Sequence, residues 1–342
     1  MNQKITEMKI AVVGAGAIGG ICAGLIKQAG FDVQVVVRRE EHAQKIVGEG
    51  IHITGIAGEF TVKMDAVAGV ENLSPDRDLV LLGIKATALG EVAQQLVSRL
   101  SPSAMVVSLQ NGFCEQALGE VLGRERVIGC VTGWGATLHS DCDLEMTSTG
   151  DFIVGNIDNQ KDPRLVQVQS VLNQVLPCLI SDNIGGSLYS KLIINSCITS
   201  VGAVCGLYLG QMLVQKKVRL IFLRIMEEAM AVASAMDITV EIFAGKLNYY
   251  TFLKKTGMLL ALKRHLFLLV LGFKYRKLKS SILQSLERKQ PTEIDYLTSF
   301  ITENGKKHQV PTPVNDQIFG MVREIEQGKR AISSDNLEQI RI

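Results

Sequence analysis

Short apolar runs alternate with segments of helical apolar spacing along the first half of this chain. The apolar runs are four to six residues long and mostly continuous, which is typical of strands buried on both faces of a parallel sheet. Segments between them, such as residues 89–100, repeat apolar positions at helical spacing. We therefore predict an α/β fold with strands at residues 10–13, 33–37, 79–84, 105–109 and 126–131.

After Pro163 the pattern is helical almost throughout. We predict a doubly wound parallel sheet in residues 1–183 followed by an all-helical C-terminal domain in residues 184–342, with residues 182–187 as the hinge. Four shorter apolar runs predict an inserted β pair and two late antiparallel strands, at residues 51–56 and 59–62 and at residues 144–146 and 152–154.

Composition limits the kind of protein that this fold can be. The 342 residues are 47% hydrophobic and 20% charged, which is typical of a soluble globular chain with two domains. A net charge of +2 gives no electrostatic reason to expect a nucleic-acid partner. The seven cysteines show neither C-x-x-C nor a zinc-like spacing with histidine, so we expect reduced thiols, no metal site and a cytoplasmic location. The polar first residues predict no signal peptide.

One segment is both apolar and basic. Residues 258–273 are apolar except for the basic triplet at 263–265, and the uninterrupted run at 266–272 is far shorter than the ~20 residues that span a bilayer. A basic helix lying on a membrane fits this pattern, and so does a helix packed on its own chain or on the second subunit of a homodimer. We predict that residues 254–279 pack against protein and do not anchor the chain in a membrane.

The first predicted strand leads into a glycine motif. Gly14, Gly16 and Gly19 form G-x-G-x-x-G between that strand and a helical pattern, which is the context that a dinucleotide-binding turn requires. Gly14 permits the tight turn, Gly16 allows close approach of a pyrophosphate, and Gly19 lets the helix lie against the strand. The helix N-terminus, which includes Ala17 and Ile18, offers N–H groups to the anion. We predict a dinucleotide site here.

The end of the second predicted strand narrows the choice between NAD and NADP. The strand ends at Arg38-Arg39, where an NAD-binding chain usually carries an acidic residue for the ribose 2′-hydroxyl. An arginine there suits the 2′-phosphate of NADP, which accepts two parallel hydrogen bonds from a guanidinium. The alternative is that both arginines only solvate a strand end. We predict NADPH/NADP+ as the cofactor, with Arg38 recognising the 2′-phosphate.

The helical half contains a polar stripe. Lys191, Asn195 and Thr199 are spaced i, i+4, i+8, so they share one face of a helix whose other positions are mostly apolar. Burying a lysine ammonium without a partner costs free energy, and this favours a functional role for Lys191. A solvated edge of an amphipathic helix is the equal alternative.

Other polar residues stand at the predicted ends of elements. Glu293 lies in the first turn of a predicted helix that Thr292 caps. Ser281 follows Ser280, and either serine fits an N-cap. Lys85 and Asn111 follow predicted parallel strands, and the carboxyl ends of such strands are where these sheets bind ligands.

Several short motifs occur in a specific order and spacing. They are residues 13–19, Arg38, residues 84–86, residues 110–112, Lys191 with Asn195, residues 280–281, residues 291–295 and residues 310–315. In these motifs, from about residue 8 to residue 325, the chain resembles the ketopantoate reductase (2-dehydropantoate 2-reductase) family. The resemblance implies a Rossmann-type NADP domain joined to a helical domain, with a small 2-oxo acid substrate in the cleft between them.

The resemblance also implies roles for individual residues. In the family, the lysine that matches Lys191 protonates the ketone oxygen, and the glutamate that matches Glu293 supports that lysine and the substrate. Asn195 and Ser281 match groups that hydrogen-bond the substrate. Lys85 and Asn111 match residues that line the cofactor side. The resemblance therefore implies catalytic residues, substrate-binding residues and cofactor-binding residues.

The chain departs from the family pattern at several positions. A second asparagine one turn beyond Asn195 is replaced by Thr199, which keeps a hydroxyl for substrate binding on a shorter side chain. A further asparagine has no counterpart at Leu209-Gly210, and residues 260–278 are longer and more basic than expected. We predict reduction of 2-dehydropantoate to pantoate in pantothenate biosynthesis. The alternatives are a reductase of another 2-oxo acid and a non-catalytic NADP-binding sensor, which would need no proton donor.

Overall fold

The computed structural model describes residues 7–254 and 257–342. The chain divides into two compact units that meet in sequence between Gly185 and Gly186. The first unit combines strands and helices and the second is helical, which confirms the predicted fold class.

In its described residues, the first unit contains twelve strands and five α-helices. The strands are β1 (Lys9–Val13), β2 (Asp32–Val37), β3 (Ile51–Gly55), β4 (Phe60–Val62), β5 (Asp65–Ala68), β6 (Leu79–Leu82), β7 (Met105–Ser108), β8 (Val127–Thr132), β9 (Gly135–Ser140), β10 (Asp143–Ser148), β11 (Phe152–Asn156) and β12 (Cys178–Ile180). The helices are α1 (Ala17–Gln28), α2 (Glu40–Gly48), α3 (Leu89–Val97), α4 (Glu115–Leu122) and α5 (Leu165–Leu172).

The large sheet has the order β12-β11-β8-β7-β6-β1-β2-β5 among the described strands. All neighbours pair in parallel except β11 with β8, which are antiparallel. The four central strands β1, β6, β7 and β8 are fully buried or nearly so, which explains their continuous apolar sequences. The predicted parallel core is therefore confirmed.

A second sheet has the order β4-β3-β10-β9. The predicted β pair is present as the antiparallel hairpin β3–β4. The two predicted late strands are also present, but they do not pair with each other: β10 joins the second sheet and β11 joins the large one. Strands β5, β9 and β12 are additions to the prediction, because they are short, exposed or partly polar and so lack a clear apolar period.

Helix α1 packs between the strands of the two sheets. A Cβ at Gly20 would lie 2.4 Å from Leu144 Cδ1 of β10, and one at Gly24 would lie 2.4 Å from Ile53 Cδ1 of β3. Small residues on α1 therefore let the second sheet approach the helix that carries the glycine motif.

The second unit is built from helices. They are α6 (Ile184–Asn195), α7 (Val201–Cys205), α8 (Leu209–Val214), α9 (Lys216–Ala235), α10 (Tyr249–Phe252), α11 (Met258–Lys274), α12 (Ser281–Glu287), α13 (Thr298–Lys307), α14 (Pro313–Glu326) and α15 (Asn336–Gln339). A π-helical turn, Ser196–Ser200, makes α6 and α7 continuous.

The predicted hinge at residues 182–187 is helical from Ile184 onward. Ile184 is buried, and its N–H donates to Asn159 Oδ1 at 3.2 Å, so a capped helix begins where a loop is predicted. The division between the units consequently falls inside α6.

Among the described residues, one helix is long and apolar enough to cross a membrane by length and composition, at Ile184–Cys205. In this structure 83% of its most apolar window is buried, as in the core helix of a globular unit.

Candidate active site

The glycine turn is tightly packed against the end of β6. Gly14 has φ of +99°, and its N–H donates to Val36 O of β2 at 2.8 Å. A Cβ at Gly14 would lie 2.9 Å from the carbonyl carbon of Gly83, and one at Gly19 would lie 2.1 Å from Gly14 O. The fold itself therefore requires glycine at positions 14 and 19.

Gly16 is different, because the protein leaves space beside it. A Cβ there would meet only Gly83 O, at 3.7 Å, and the backbone at φ −71° is open to any residue. Packing does not require glycine at this position. A bare backbone here instead forms a cradle that a side chain would fill, as close approach of a pyrophosphate demands.

The N-terminus of α1 is suited to bind an anion. Gly16 is the N-cap, no side chain caps the helix, and the first turn holds no acidic residue. The first intrahelical bond runs from Gly20 N to Gly16 O at 2.8 Å, so the N–H groups of Ala17, Ile18 and Gly19 precede the helical ladder. These groups fit the phosphates of a dinucleotide.

Arg38 and Arg39 follow β2 but have different surroundings. Arg39 pairs with Asp141. Arg38 is exposed and makes no hydrogen bond or ion pair with the described residues. Since β2 is the parallel neighbour of β1, Arg38 lies at the same sheet edge as the glycine turn. A guanidinium without a protein partner at this edge fits a phosphate ligand.

Lys85 and Asn111 lie at the same edge. Lys85 precedes the short 3-10 turn Ala86–Ala88 after β6, and Asn111 follows β7. Since β6 and β7 are parallel neighbours next to β1, the predicted cofactor residues all stand at the carboxyl ends of the adjacent strands β2, β1, β6 and β7.

Gln110 belongs to the motif at residues 110–112 and is a further candidate, although the sequence pattern alone assigns it no role. Its side chain is 5% exposed and its Oε1 accepts from Ser108 Oγ at 2.9 Å, while its Nε2 has no partner in the described part of the chain. A buried amide nitrogen without a partner is costly, so a bound ligand would satisfy it. A glutamine directly after a buried strand is the sequence signal that could have indicated it.

Replacing Gly16 by Ala is expected to weaken nicotinamide dinucleotide binding by about tenfold or more without destabilising the fold. The added methyl fills the space beside the turn, and losing one hydrogen bond to a charged phosphate costs about 1.5–3 kcal/mol. Fluorescence titration measures the affinity, and thermal unfolding measures the stability. Gly19→Ala is the control, because its Cβ would overlap Gly14 O and must destabilise the first unit. Unchanged affinity in Gly16→Ala would show that the anion lies elsewhere.

In the second unit, one narrow face of the long helix remains accessible. From Gly186 to Cys205, Lys191, Asn195 and Ile198 keep intermediate exposure and every other residue is buried. The spacing i, i+4, i+7 places the three on one face. This arrangement differs from the solvated edge of an amphipathic helix, because the accessible strip is only one residue wide. Tyr249, whose OH donates to Ser190 O at 2.7 Å, holds the backbone just before Lys191.

Thr199, the third member of the predicted stripe, is less accessible than Lys191 and Asn195. Asn195 is followed by the π turn Ser196–Ser200, within which Ile198 is the residue of intermediate exposure. Thr199 is 9% exposed, and its Oγ1 donates to Asn195 O at 2.7 Å. Its hydroxyl is left with acceptor capacity only, and its role in substrate binding stays a prediction.

The π turn also fixes the starts of two other helices. Ser280 is the buried N-cap of α12: its Oγ accepts from Leu283 N at 3.0 Å and donates to Thr199 O at 2.6 Å. Ser200 Oγ and Thr298 Oγ1, at the start of α13, are 2.7 Å apart. Ser281 is the exposed first residue of α12. The capping role therefore belongs to Ser280, and Ser281 keeps an accessible hydroxyl.

Glu293 lies at a shorter turn than predicted. Thr292 Oγ1 accepts from Ile294 N at 3.3 Å, as a cap would, but the turn that follows is the 3-10 segment Ile294–Tyr296 and α13 begins only at Thr298. Glu293 is thus the N-cap residue of a three-residue turn rather than part of a long helix, and its side chain is half-buried.

Helix α14 holds the residues on both sides of Glu293. Thr292 N donates to Glu326 Oε1 at 3.0 Å, and Arg323 pairs with both Asp295 and Glu326. Burial opposes ionisation of Glu326, but the hydrogen bonds from Thr292 and Arg323 outweigh it, so the pKa of the Glu326 carboxyl lies below its usual value. This charged network fixes the backbone that carries Glu293.

A large parallel sheet with a dinucleotide turn at its carboxyl edge, followed by a helical unit, defines the class: an NAD(P)-dependent oxidoreductase acting on a CH–OH group. The chain belongs to the ketopantoate reductase family. Residues 10–159 match the family model for ketopantoate reductase PanE/ApbA, and residues 183–326 match the model for its C-terminal part.

Relatives cover nearly the whole chain. A 2-dehydropantoate 2-reductase of Pyrococcus abyssi is 28% identical over 329 residues, which are 95% of this chain and 99% of the relative. The crystal structure of a PanE/ApbA family ketopantoate reductase from Ralstonia eutropha is 25% identical with a TM-score of 0.81, over 95% and 100% of the two chains. D-mandelate dehydrogenase, solved with NADH and anilino(oxo)acetate, shares the fold at 22% identity and a TM-score of 0.78, over 94% and 99%.

Proposed function

We propose that this protein is a cytoplasmic NADPH-dependent reductase that converts 2-dehydropantoate to pantoate in pantothenate biosynthesis. Residues 1–183 bind the cofactor, and residues 184–342 carry the substrate-binding and catalytic groups. The observation that carries the proposal is the accessible pair of Lys191 and Asn195 on an otherwise buried helix, in a chain that belongs to the ketopantoate reductase family.

Reduction of a ketone requires a hydride at carbon and a proton at oxygen. The bound cofactor supplies the hydride. The Lys191 ammonium donates the proton to the ketone oxygen and stabilises the negative charge that develops there. Asn195 and Ser281 hydrogen-bond the substrate, and Glu293 supports the lysine from its fixed turn. The helix geometry favours these roles, because Lys191 and Asn195 lie one turn apart on the same accessible strip.

The choice of NADPH rests on Arg38. A relative of the same fold, D-mandelate dehydrogenase, was solved with NADH, so the fold alone does not select the phosphorylated cofactor. In this chain Arg38 is exposed at the end of β2 without a partner among the described residues, whereas Arg39 is engaged by Asp141. An unengaged guanidinium at that position suits the 2′-phosphate.

A reductase of a different 2-oxo acid is the second candidate, and the burial of Thr199 favours it. Where the family pattern has a second asparagine, Thr199 is buried and donates its hydroxyl proton to the backbone. The accessible position on that face is the apolar Ile198. A substrate with an apolar group in place of a hydroxyl would match this strip better.

A panel of branched 2-oxo acids with NADPH tests the proposal. We expect the highest kcat/KM with 2-dehydropantoate and a much lower value with 2-oxoisovalerate, which lacks the hydroxymethyl group. A buried polar group of the site that loses its hydrogen-bond partner with the poorer substrate lowers kcat/KM for that substrate by orders of magnitude. Equal or better turnover of 2-oxoisovalerate or of an aryl 2-oxo acid would establish the second candidate. NADPH binding without turnover of any 2-oxo acid would indicate a cofactor-binding sensor.

A further inference from the structure

Helix α11 presents a row of large apolar side chains to solvent. Leu262, Leu266, Leu269, Val270 and Phe273 are 67%, 58%, 37%, 59% and 73% exposed. Their spacing of i, i+4, i+7, i+8, i+11 places them on one face over about 16 Å. We call these five residues the apolar row. A contiguous exposed row of this kind on a globular chain marks an interaction surface.

The opposite face of α11 is fixed to the second unit. Leu268 is fully buried, and a Cβ at Gly272 would lie 2.7 Å from Leu213 Cβ in α8, so the two helices approach closely. Arg219 Nε of α9 donates to His265 Nδ1 at 3.2 Å. The apolar row lies on the other side of the helix and stays exposed, with the Arg276 guanidinium 5.6 Å from the centre of the Phe273 ring.

The segment that carries the apolar row is strongly cationic, although Lys279 at its end pairs with Glu287. Residues 254–279 contain eight Lys or Arg and no Asp or Glu, whereas the rest of the chain contains 28 Lys or Arg and 34 Asp or Glu, a net charge of −6. Lys263 follows Leu262 and Lys274 follows Phe273, so at 100° per residue both cations lie along the same border of the row. Both are exposed and form no ion pair with the described residues.

The positive charge of residues 254–279 limits which kind of surface can cover the apolar row. A second copy related by a two-fold axis would bring two acid-free cationic segments together, which opposes a homodimer through this face. A membrane-spanning role is excluded for α11 itself, because its 17 residues include the polar triplet Lys263, Arg264 and His265. An apolar face bordered by lysines instead fits a surface that is apolar below and anionic above.

We propose that the apolar row docks the protein on an anionic lipid bilayer, with α11 lying in the plane of the headgroups. This proposal replaces the part of our sequence prediction that assigned residues 254–279 no role at a membrane. The leucines, Val270 and Phe273 enter the acyl boundary, and Lys263, Lys274 and Lys277 contact lipid phosphates. This goes beyond the proposed reductase activity and is independent of it: the enzyme would work at the cytoplasmic membrane surface rather than free in solution.

Flotation of the full-length protein with vesicles tests the proposal. We expect recovery with phosphatidylserine-containing vesicles, little with pure phosphatidylcholine, and weaker binding at high salt. Lys274→Gln with Lys277→Gln should lower the partition coefficient about twentyfold to thirtyfold. The matched control is Lys307→Gln with Lys329→Gln, which makes the same charge change at exposed lysines elsewhere and should leave binding unchanged.

A second pair of variants tests the apolar row itself. Leu266→Ser with Phe273→Ser should abolish flotation, whereas Val166→Ser with Leu179→Ser, at exposed apolar residues of the first unit, should not. NADPH turnover should be unchanged in all four double variants, the two lysine variants and the two serine variants. Unchanged turnover also shows that each of them folds. Absence of flotation with anionic vesicles would overturn the proposal, as would equal binding by the row variants and their control. A dimer detected by light scattering and dissociated by Leu266→Ser with Phe273→Ser would show that a second copy covers the row.

Discussion

Replacing Lys191 by Ala is expected to lower kcat about a hundredfold to ten-thousandfold, which is the typical contribution of a positioned proton donor. The ammonium lies on the accessible strip of a helix that is otherwise buried, so its loss removes both the proton and the charge that stabilises the developing alkoxide. NADPH affinity and the thermal unfolding temperature should stay close to wild type, because the proposed cofactor residues lie in the other unit. Steady-state kinetics with the true substrate and a cofactor titration measure the two effects.

Two further variants separate a chemical role from a structural one. Lys307→Ala removes an exposed lysine at the end of α13 and should change turnover very little, since surface substitutions have small effects. Glu293→Ala should also lower turnover, with some loss of stability because Glu293 begins the short turn that α14 holds. Near-normal turnover in Lys191→Ala would remove the lysine from the mechanism.

Wild-type protein is expected to bind NADPH more tightly than NADH, and Arg38→Ala should abolish most of that difference. A charge-assisted contact to the 2′-phosphate contributes roughly 1.5–3 kcal/mol, on the order of tenfold to a hundredfold in affinity. NADH has no 2′-phosphate, so its affinity should be nearly unaffected. Calorimetric or fluorescence titration of both cofactors with both proteins gives the four dissociation constants.

The chain provides its own control for this experiment. Arg39 is the next residue but is already paired with Asp141, so Arg39→Ala should leave the preference for NADPH almost unchanged. Equal affinities of the wild type for the two cofactors would contradict the assignment. A loss of NADPH affinity in Arg39→Ala as large as in Arg38→Ala would assign the phosphate to the pair of arginines instead.

The parallel core and the glycine turn could be predicted because their signals are local. A strand such as β1 or β6 is buried on both faces, so its apolar run is continuous and can be recognised without knowing its neighbours. The glycine turn is equally local: Gly14 needs a positive φ, and Gly19 lies where any Cβ would overlap the carbonyl of Gly14. The family resemblance depends on the same short motifs.

Strand partners and helix faces could not be predicted in this way. The pairing of β10 with β3 joins residues far apart in sequence, and both strands are too short to specify their partners. The accessible strip of the long helix is Lys191, Asn195 and Ile198, and apolar spacing at 3.6 residues per turn predicts neither the burial of Thr199 nor the π turn that contains it.

The sequence by itself therefore determined the α/β and helical halves, the glycine turn and the set of candidate residues, because periodicity and steric demand act within a few residues. Tertiary structure alone decided which of two adjacent arginines is engaged, whether Thr199 reaches the accessible strip, and which face of α11 is covered. Each of these depends on groups brought together from distant segments: Asp141 against Arg39, Ser280 against Thr199, and Leu213 against Gly272. A local pattern predicts which side chains can be buried, but only long-range packing determines which groups cover them.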